Sequence, residues 1–293
     1  MGGNQQASVM NVLDCTLLAY EGPIFRAYLS VLKQLGYKVK RVVKLYNGHH
    51  RWPWIPNGLK QAYCANKEAL EHNFYPQQFL KNAALSRSIC QPIVKKYALP
   101  ADFFEIFGKK NLFTDSYAEE CIYCDFEDDG WKSERLFTLL QSFGPETYLF
   151  TGGGLVPRRM LTLPGTEFVH VHPGFLPYTR GADGILWSIV TRGKPGASCF
   201  YMVPQLDAGN VIAAEEFEPV VFQKPVHSDY KTLYRLIFAF YDPAIRALCF
   251  KHVLEQFGTL KHLPNVPQDT KKGIVFHFMH EMLQQLVFRR MFV

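Results

Sequence analysis

From Cys15 to Tyr20 the chain is a mostly apolar run of strand length, interrupted by Thr16 alone and stopped by Gly22-Pro23. Between Ile24 and Leu35 the pattern changes. Apolar residues fall at Ile24, Phe25, Tyr28, Leu29, Leu32 and Leu35, the spacing of one helix face, and Gly36 is placed to cap that helix. Val39 to Tyr46 returns to a β-branched run. Strand, helix and strand in this order predict a βαβ unit, hence parallel strands with a right-handed crossover.

The alternation continues downstream. Residues 67–100 are mostly helical in pattern, Pro100 and Asp102 open a further short helix, and Asp125 to Asp129 read as an exposed acidic loop. Ser133 to Phe143 reads as a helix with Ser133 near its N-cap. Strands are expected at Tyr148–Thr151, Phe168–His172, Ala197–Val203 and Val211–Phe217, with a helix at Ala182–Thr191. This predicts an α/β fold, a Rossmann-like and mostly parallel sheet with helices on its faces and a small C-terminal helical extension. Within that extension Ser228 to Phe257 is helical with a break expected at Asp242-Pro243, Gly273 to Met279 is a short strand and Glu281 to Met291 a closing helix. Two units follow: an α/β domain over 1–220, with a long insertion at about 50–145, and a mostly helical region over 221–293.

Composition narrows the setting. Of 293 residues 48% are hydrophobic, enough for a sizeable core. The net charge of +6 is mild, and the basic cluster Lys38, Lys40, Arg41 and Lys44 is too short to indicate nucleic acid. No apolar run reaches the ~18 residues that span a bilayer. The first dozen residues lack a basic segment followed by an apolar one, and Gln6 stands where a myristoylation site wants Ser or Thr. The seven cysteines are odd in number and scattered, and Cys121-Ile122-Tyr123-Cys124 has ligand spacing without a second pair, so ordinary thiols are expected there. These features predict a cytoplasmic protein with no nucleic-acid and no membrane partner.

The candidate chemistry lies at the end of one strand. In Phe168-Val169-His170-Val171-His172 the two imidazoles share a face and the two valines share the other. Pro173-Gly174 then ends the strand, and Asp207 in Leu206-Asp207-Ala208-Gly209 can bring a carboxylate to the same place. His170, His172 and Asp207 suit a metal as ligands, or a proton-transfer site as acid and base. Gly152-Gly153-Gly154, directly after a strand, lets a ligand approach the backbone, yet the run is neither a dinucleotide fingerprint nor a P-loop. The aromatic stretch around Trp52 and Trp54 either packs its own rings on the surface or lines a groove.

Taken in order, Gly153, Leu155-Val156-Pro157, His172-Pro173, Leu176-Pro177, Arg180-Gly181 and Asp207-Ala208-Gly209 resemble the folate-dependent formyltransferase family over Gly152 to Glu215. The resemblance implies a formyltransferase fold, 10-formyltetrahydrofolate as formyl donor and a small-molecule amine as acceptor, with no metal. His172 and Asp207 fall on the family's catalytic His and Asp, and His170 stands where the family has Asn, giving the catalytic set His170, His172 and Asp207. Gly152, Gly153, Gly154, Leu155, Gln205, Leu206 and Asp207 would hold the donor, and Arg180 and Gly181 the acceptor. The resemblance implies that His172 donates to the formyl oxygen or takes the amine proton, with Asp207 orienting it. A neutral imidazole at 170 has one donor and one acceptor, so His170 is also able to donate to that oxygen, and it is expected to alter pH dependence or acceptor choice. Tyr20-Glu21-Gly22-Pro23 lacks the phosphate cradle of the ribonucleotide branch, and the residues after Asp207 leave little room for a tRNA-binding barrel. An amino sugar or an amino-acid-derived amine is therefore the expected acceptor. The alternatives are a metal enzyme on His170, His172 and Asp207, or a folate-binding family member with altered or lost catalysis. The apolar stretches Leu286-Val287-Phe288 and Met291-Phe292-Val293 either pack internally or pair two copies as a homodimer.

Overall fold

The first βαβ unit forms as its pattern dictates. In a computed structural model β1 (Asn11–Tyr20) and β2 (Tyr37–Tyr46) pair in parallel across α1 (Pro23–Leu35). The model describes residues 10–46, 56, 82–109, 116–125, 130–225 and 229–293. The aromatic stretch with Trp52 and Trp54, the helical pattern over 67–81 and the acidic positions 126–129 lie outside them. Helix α1 begins with Pro23 in its first turn, where the missing N–H has no intrahelical partner to lose, and ends at Gly36 with φ 68°. Its apolar stripe, Phe25, Tyr28, Leu29 and Leu32, is fully buried.

The remaining elements are α2 (Ala83–Lys96), β3 (Ala118–Asp125), α3 (Glu134–Ser142), β4 (Thr147–Phe150), the single turn α4 (Arg158–Leu161), β5 (Glu167–His172), β6 (Thr179–Gly181), α5 (Gly184–Arg192), β7 (Gly196–Tyr201), β8 (Val211–Glu216), α6 (Tyr230–Leu236), α7 (Asp242–Phe257), β9 (Ile274–Phe276) and α8 (Glu281–Met291). Ser133 caps α3 as expected, accepting the Leu136 N–H at 3.4 Å. Seven strands make the main sheet in the order β3-β2-β1-β4-β5-β7-β8. The pairs from β3 through β5 are parallel, and β7 and β8 join antiparallel. This is the expected α/β, mostly parallel sheet. The order reverses direction at β1 and β4, and in open α/β sheets ligands bind outside the carboxyl ends of strands at such a switch point.

Three elements differ from the sequence reading. Strand β3 was not anticipated; it pairs with β2 from Val39 to Tyr46, inside the span read as an insertion. Cys121 and Cys124 lie three apart on it and so project to opposite faces, which prevents them from gripping one metal together. The break expected at Asp242-Pro243 does not occur. A wider π turn over Ile237–Tyr241 carries α6 into α7, and Pro243 sits in the first turn of α7, where it is tolerated. The short strand β6 was also unforeseen; it pairs in parallel with β9, making a second, two-stranded sheet.

Helix α7 packs on α1 and β7, so the C-terminal helical region contributes to the main core. Val287, Phe288, Met291 and Phe292 are buried within this chain, whereas Leu286 and Val293 are exposed. No helix among the described residues is long and apolar enough to cross a membrane.

Candidate active site

Strand β5 delivers the two histidines as its alternation requires. Val169 and Val171 are fully buried on one face, and His170 and His172 project from the other, at the carboxyl end of the strand. They open on a cavity of about 600 Å³, within the usual range of small-molecule sites. The cavity's lining includes Gly152, Gly153, Gly154, Leu155, Gln205, Leu206, Asp207 and Gly181, all residues that the sequence assigned to the site.

Each ring is held by a backbone carbonyl. His172 Nε2 lies 2.9 Å from Thr179 O, so that nitrogen carries the hydrogen and Nδ1 carries the lone pair of the neutral ring. Nδ1 lies 3.5 Å from Asp207 Oδ2. The ring fits closely: a Cβ at Gly174 would stand 2.6 Å from Nε2, and one at Gly184 would stand 3.2 Å from it. Burial pushes the His172 pKa down; Asp207 opposes that shift and Arg246 adds to it. His170 is fixed by its other nitrogen. Its Nδ1 lies 3.0 Å from Phe150 O and so donates there, leaving the Nε2 lone pair facing Arg246 Nη1 at 3.5 Å. Burial, reinforced by the Arg246 charge, pushes the His170 pKa down to about 3. His170 is therefore neutral at physiological pH with its only N–H already used. The donor expected for a formyl oxygen does not come from this ring.

Asp207 is positioned by its loop. It adopts a left-handed φ of 47° and accepts the Gly181 N–H on Oδ2 at 2.8 Å. The side-chain amide of Gln268 donates to the carbonyls of Asp207, at 3.2 Å, and of Gly209. Gly209 has no room for a side chain, since a Cβ there would lie 1.6 Å from Tyr201 O. The glycine run after β4 has a packing reason as well. A Cβ at Gly152 would lie 2.2 Å from the Trp131 ring, and Trp131 Nε1 donates to Gly153 O at 2.8 Å.

Arg180 Nη2 donates to Thr270 O at 3.0 Å and Gly273 O at 3.5 Å, capping carbonyls of the segment before β9, and the residue is absent from the cavity's lining. Gly181 does line the cavity, through the loop that carries it.

Sequence reasoning missed Arg246, Asp242, Asp183 and Tyr234. Arg246 projects from α7 and donates through Nε to Asp242 Oδ1 at 2.8 Å and through Nη1 to Val171 O at 2.9 Å. Asp183, at φ 52°, accepts the Tyr234 hydroxyl and the Met279 N–H, each at 2.7 Å, which ties α6 and the segment after β9 to the cavity's edge. Burial raises the carboxyl pKa of both Asp183 and Asp242. The arrangement disfavours a metal between the histidines. One nitrogen of each ring is turned onto a carbonyl, and the Nε2 lone pair of His170 meets the Arg246 guanidinium, which would repel a cation. Among the described residues no three His, Cys, Asp or Glu side chains are grouped to hold a metal.

No family model matches the chain. Over 84 residues it is 36% identical to the methionyl-tRNA formyltransferase of Staphylococcus aureus (strain Newman), covering 28% of this chain and 27% of that protein. Over 89 residues it is 29% identical to the methionyl-tRNA formyltransferase of Syntrophus aciditrophicus, covering 30% of this chain and 28% of that one. The matches thus span under a third of the length of these curated relatives. Among solved structures, a 4-N formyltransferase from Francisella tularensis is 12% identical and covers 96% of this chain and 86% of that chain, with a TM-score of 0.45. Over these segments the chain is similar in sequence to formyltransferases.

Proposed function

We propose that this protein is an N-formyltransferase, moving a formyl group from 10-formyltetrahydrofolate to the amine of a small molecule. The observation that carries the reading is His172: one nitrogen locked on Thr179 O, the other open as a base beside Asp207, at the end of a cavity of ligand size. The donor suits the lining. Leu155, Val156, Phe200, Met202, Val203 and Leu206 offer an apolar ledge for a flat heterocycle, and the Gly152–Gly154 and Gln205–Asp207 loops bring polar backbone groups to its rim.

The donor, when bound, supplies a formyl carbon carried on a nitrogen able to leave. Transfer makes one C–N bond and breaks another, and the proton shed by the attacking amine must end on the departing nitrogen. His172 Nδ1 can do both parts. Its lone pair takes the amine proton, and the resulting Nδ1–H is returned to the leaving nitrogen. Asp207 stabilises the imidazolium between these events, and the gap of 3.5 Å leaves room for the charged pair to tighten when the proton arrives. The Thr179 carbonyl keeps the ring oriented throughout, and the apolar ledge excludes water that would otherwise compete with the amine.

A small acceptor, an amino sugar or an amino-acid-derived amine, suits the cavity better than a macromolecule. The elements that follow Asp207 fold over the site, bringing Tyr234, Phe238, Arg246 and Phe278 to its wall. A cytoplasmic location belongs to this reading; no helix among the described residues is long and apolar enough to cross a membrane.

The test is an assay of the purified chain with 10-formyltetrahydrofolate and a panel of amino sugars, amino acids and their derivatives. It follows both release of tetrahydrofolate and the mass of the formylated product. At least one amine should be formylated, at a rate unchanged by dialysis against a chelator. Tight binding of tetrahydrofolate without transfer to any amine would overturn the reading in favour of a folate-binding protein.

A further inference from the structure

We infer that the Arg246 guanidinium is the group that binds the formyl oxygen as it gains negative charge, and that His170 is a positioning residue for it; this rests on the formyl-transfer reading above. Negative charge grows on that oxygen when the amine attacks, so the site needs a donor aimed at it. His170, which stands where the resembling family has Asn, cannot serve. Its single N–H is on Phe150 O, and the nitrogen it turns the other way carries a lone pair.

The needed donor lies directly behind that lone pair. Arg246 is held on three sides: Nε on Asp242, and Nη1 on Val171 O and the His170 ring. Asp242 is itself buried, so the anchor is firm. Nη2 makes no hydrogen bond to any described residue, and it is not among the buried polar atoms left without a partner, so it retains access to solvent. Arg246 lines the same cavity as His170, His172 and Asp207. The peptide it grips, Val171, lies between the two histidines, which fixes the guanidinium relative to the His172 base. An Asn-to-His replacement thus removes an amide donor and installs an acceptor that helps seat a cationic one.

The competing explanation is that Arg246 only neutralises Asp242 and caps Val171 O. Three variants separate the two roles. Arg246→Gln removes the charge; Arg246→Lys keeps a charge without the planar fork; and Asp242→Asn with Arg246→Gln also removes the carboxylate that the single change would leave buried and unpaired. With the best amine, kcat should fall on the order of 10²–10³-fold in Arg246→Gln and in the double variant, with KM little moved. Arg246→Lys should lie between, and added guanidinium should restore part of the activity of Arg246→Ala. A second readout needs no donor. Formate, a one-carbon carboxylate, titrated into the wild-type protein should shift the Arg246 Nε–Hε and His170 ring signals by NMR, and the His170 shift should vanish in the double variant.

Wild-type transfer combined with an unchanged kcat in the folded double variant overturns the inference and leaves the proposed function standing. So does a formate titration that leaves the Arg246 signal unmoved. A wild-type protein that formylates no amine removes the proposed function and this inference with it.

Discussion

His172 meets the cavity through one nitrogen, and that sets its response to pH. The groups facing it are Asp207 from the loop after β7, Arg246 and Asp242 from α7, His170 on its own strand and the Thr179 carbonyl. Burial lowers its pKa, so the neutral, proton-accepting form should predominate at neutral pH, and the rate should fall only on the acid side of the ordinary His value of about 6.5. Asp207→Asn removes the charge that opposes this lowering. Its pH–kcat profile should therefore show the acid limb moved to lower pH as well as a reduced plateau; a limb moved upward would contradict the assignment. His172→Ala should lose about 10²–10⁴-fold in kcat, measured at saturating amine. At this scale His172 and Asp207 were legible because each sits beside Pro or Gly in an ordered set of motifs. Arg246 was not, since nothing in the apolar run Ala244-Ile245-Arg246-Ala247-Leu248 tells a buried functional cation from a surface one. Sequence alone could not place the Thr270 and Gly273 carbonyls against Arg180.

Elements hold these side chains in place through a close approach of two backbones. At Gly181 the φ of 93° is a left-handed conformation, and a Cβ there would lie 2.1 Å from Phe276 O, inside the β6–β9 pair. Gly181→Ala should therefore cost about 1–3 kcal/mol in denaturant unfolding and should also weaken activity, because the Gly181 N–H orients Asp207. Equal stability and equal kcat in this variant would show that the two-stranded sheet does not support the site. The first βαβ unit was readable because long runs repeat its periods many times over. Strand β6, three residues long, repeats too little to show a period. The path from α6 to α7 misleads for a geometric reason. At about 100° per residue, a regular helix would carry Arg246 roughly 120° around from Tyr234. The wider π turn takes up about one residue, which returns the two to nearly the same face. Tyr234, Phe238 and Arg246 all line the cavity, an outcome that a 3.6-residue period does not forecast.

The whole molecule carries two buried neutral histidines, and its stability should register them. Below about pH 6.5 an unfolded chain protonates both, whereas the folded chain resists until much lower pH, down to about 3 for His170. Their contribution is therefore complete above the unfolded value and is lost as pH falls, with a slope of up to about 1.4 kcal/mol per pH unit for His170. Asp183 and Asp242, whose pKa burial raises, act in the opposite sense nearer the carboxylate range. Urea midpoints at about pH 7.5 and about pH 5.5 should show a marked drop in the wild type and a shallower one in His170→Asn. A wild-type midpoint independent of pH would contradict the buried, neutral assignment. At this scale the α/β class was legible because the sheet is built from sequence-adjacent units. The intimacy of the C-terminal region was not, because the contacts of α7 with α1 and β7 join positions far apart in the chain.

That intimacy has a consequence for the protein while it is being made. Gln268 grips the loop that carries Asp207, and β9 completes the strand pair beside Gly181. A nascent chain that already displays His170, His172 and Asp207 outside the ribosome still lacks Gln268 and β9, so the carboxylate has no fixed place and Arg180 has no carbonyls to grip. A chain terminated between residues 210 and 268 would hold His170, His172 and Asp207 yet no assembled site.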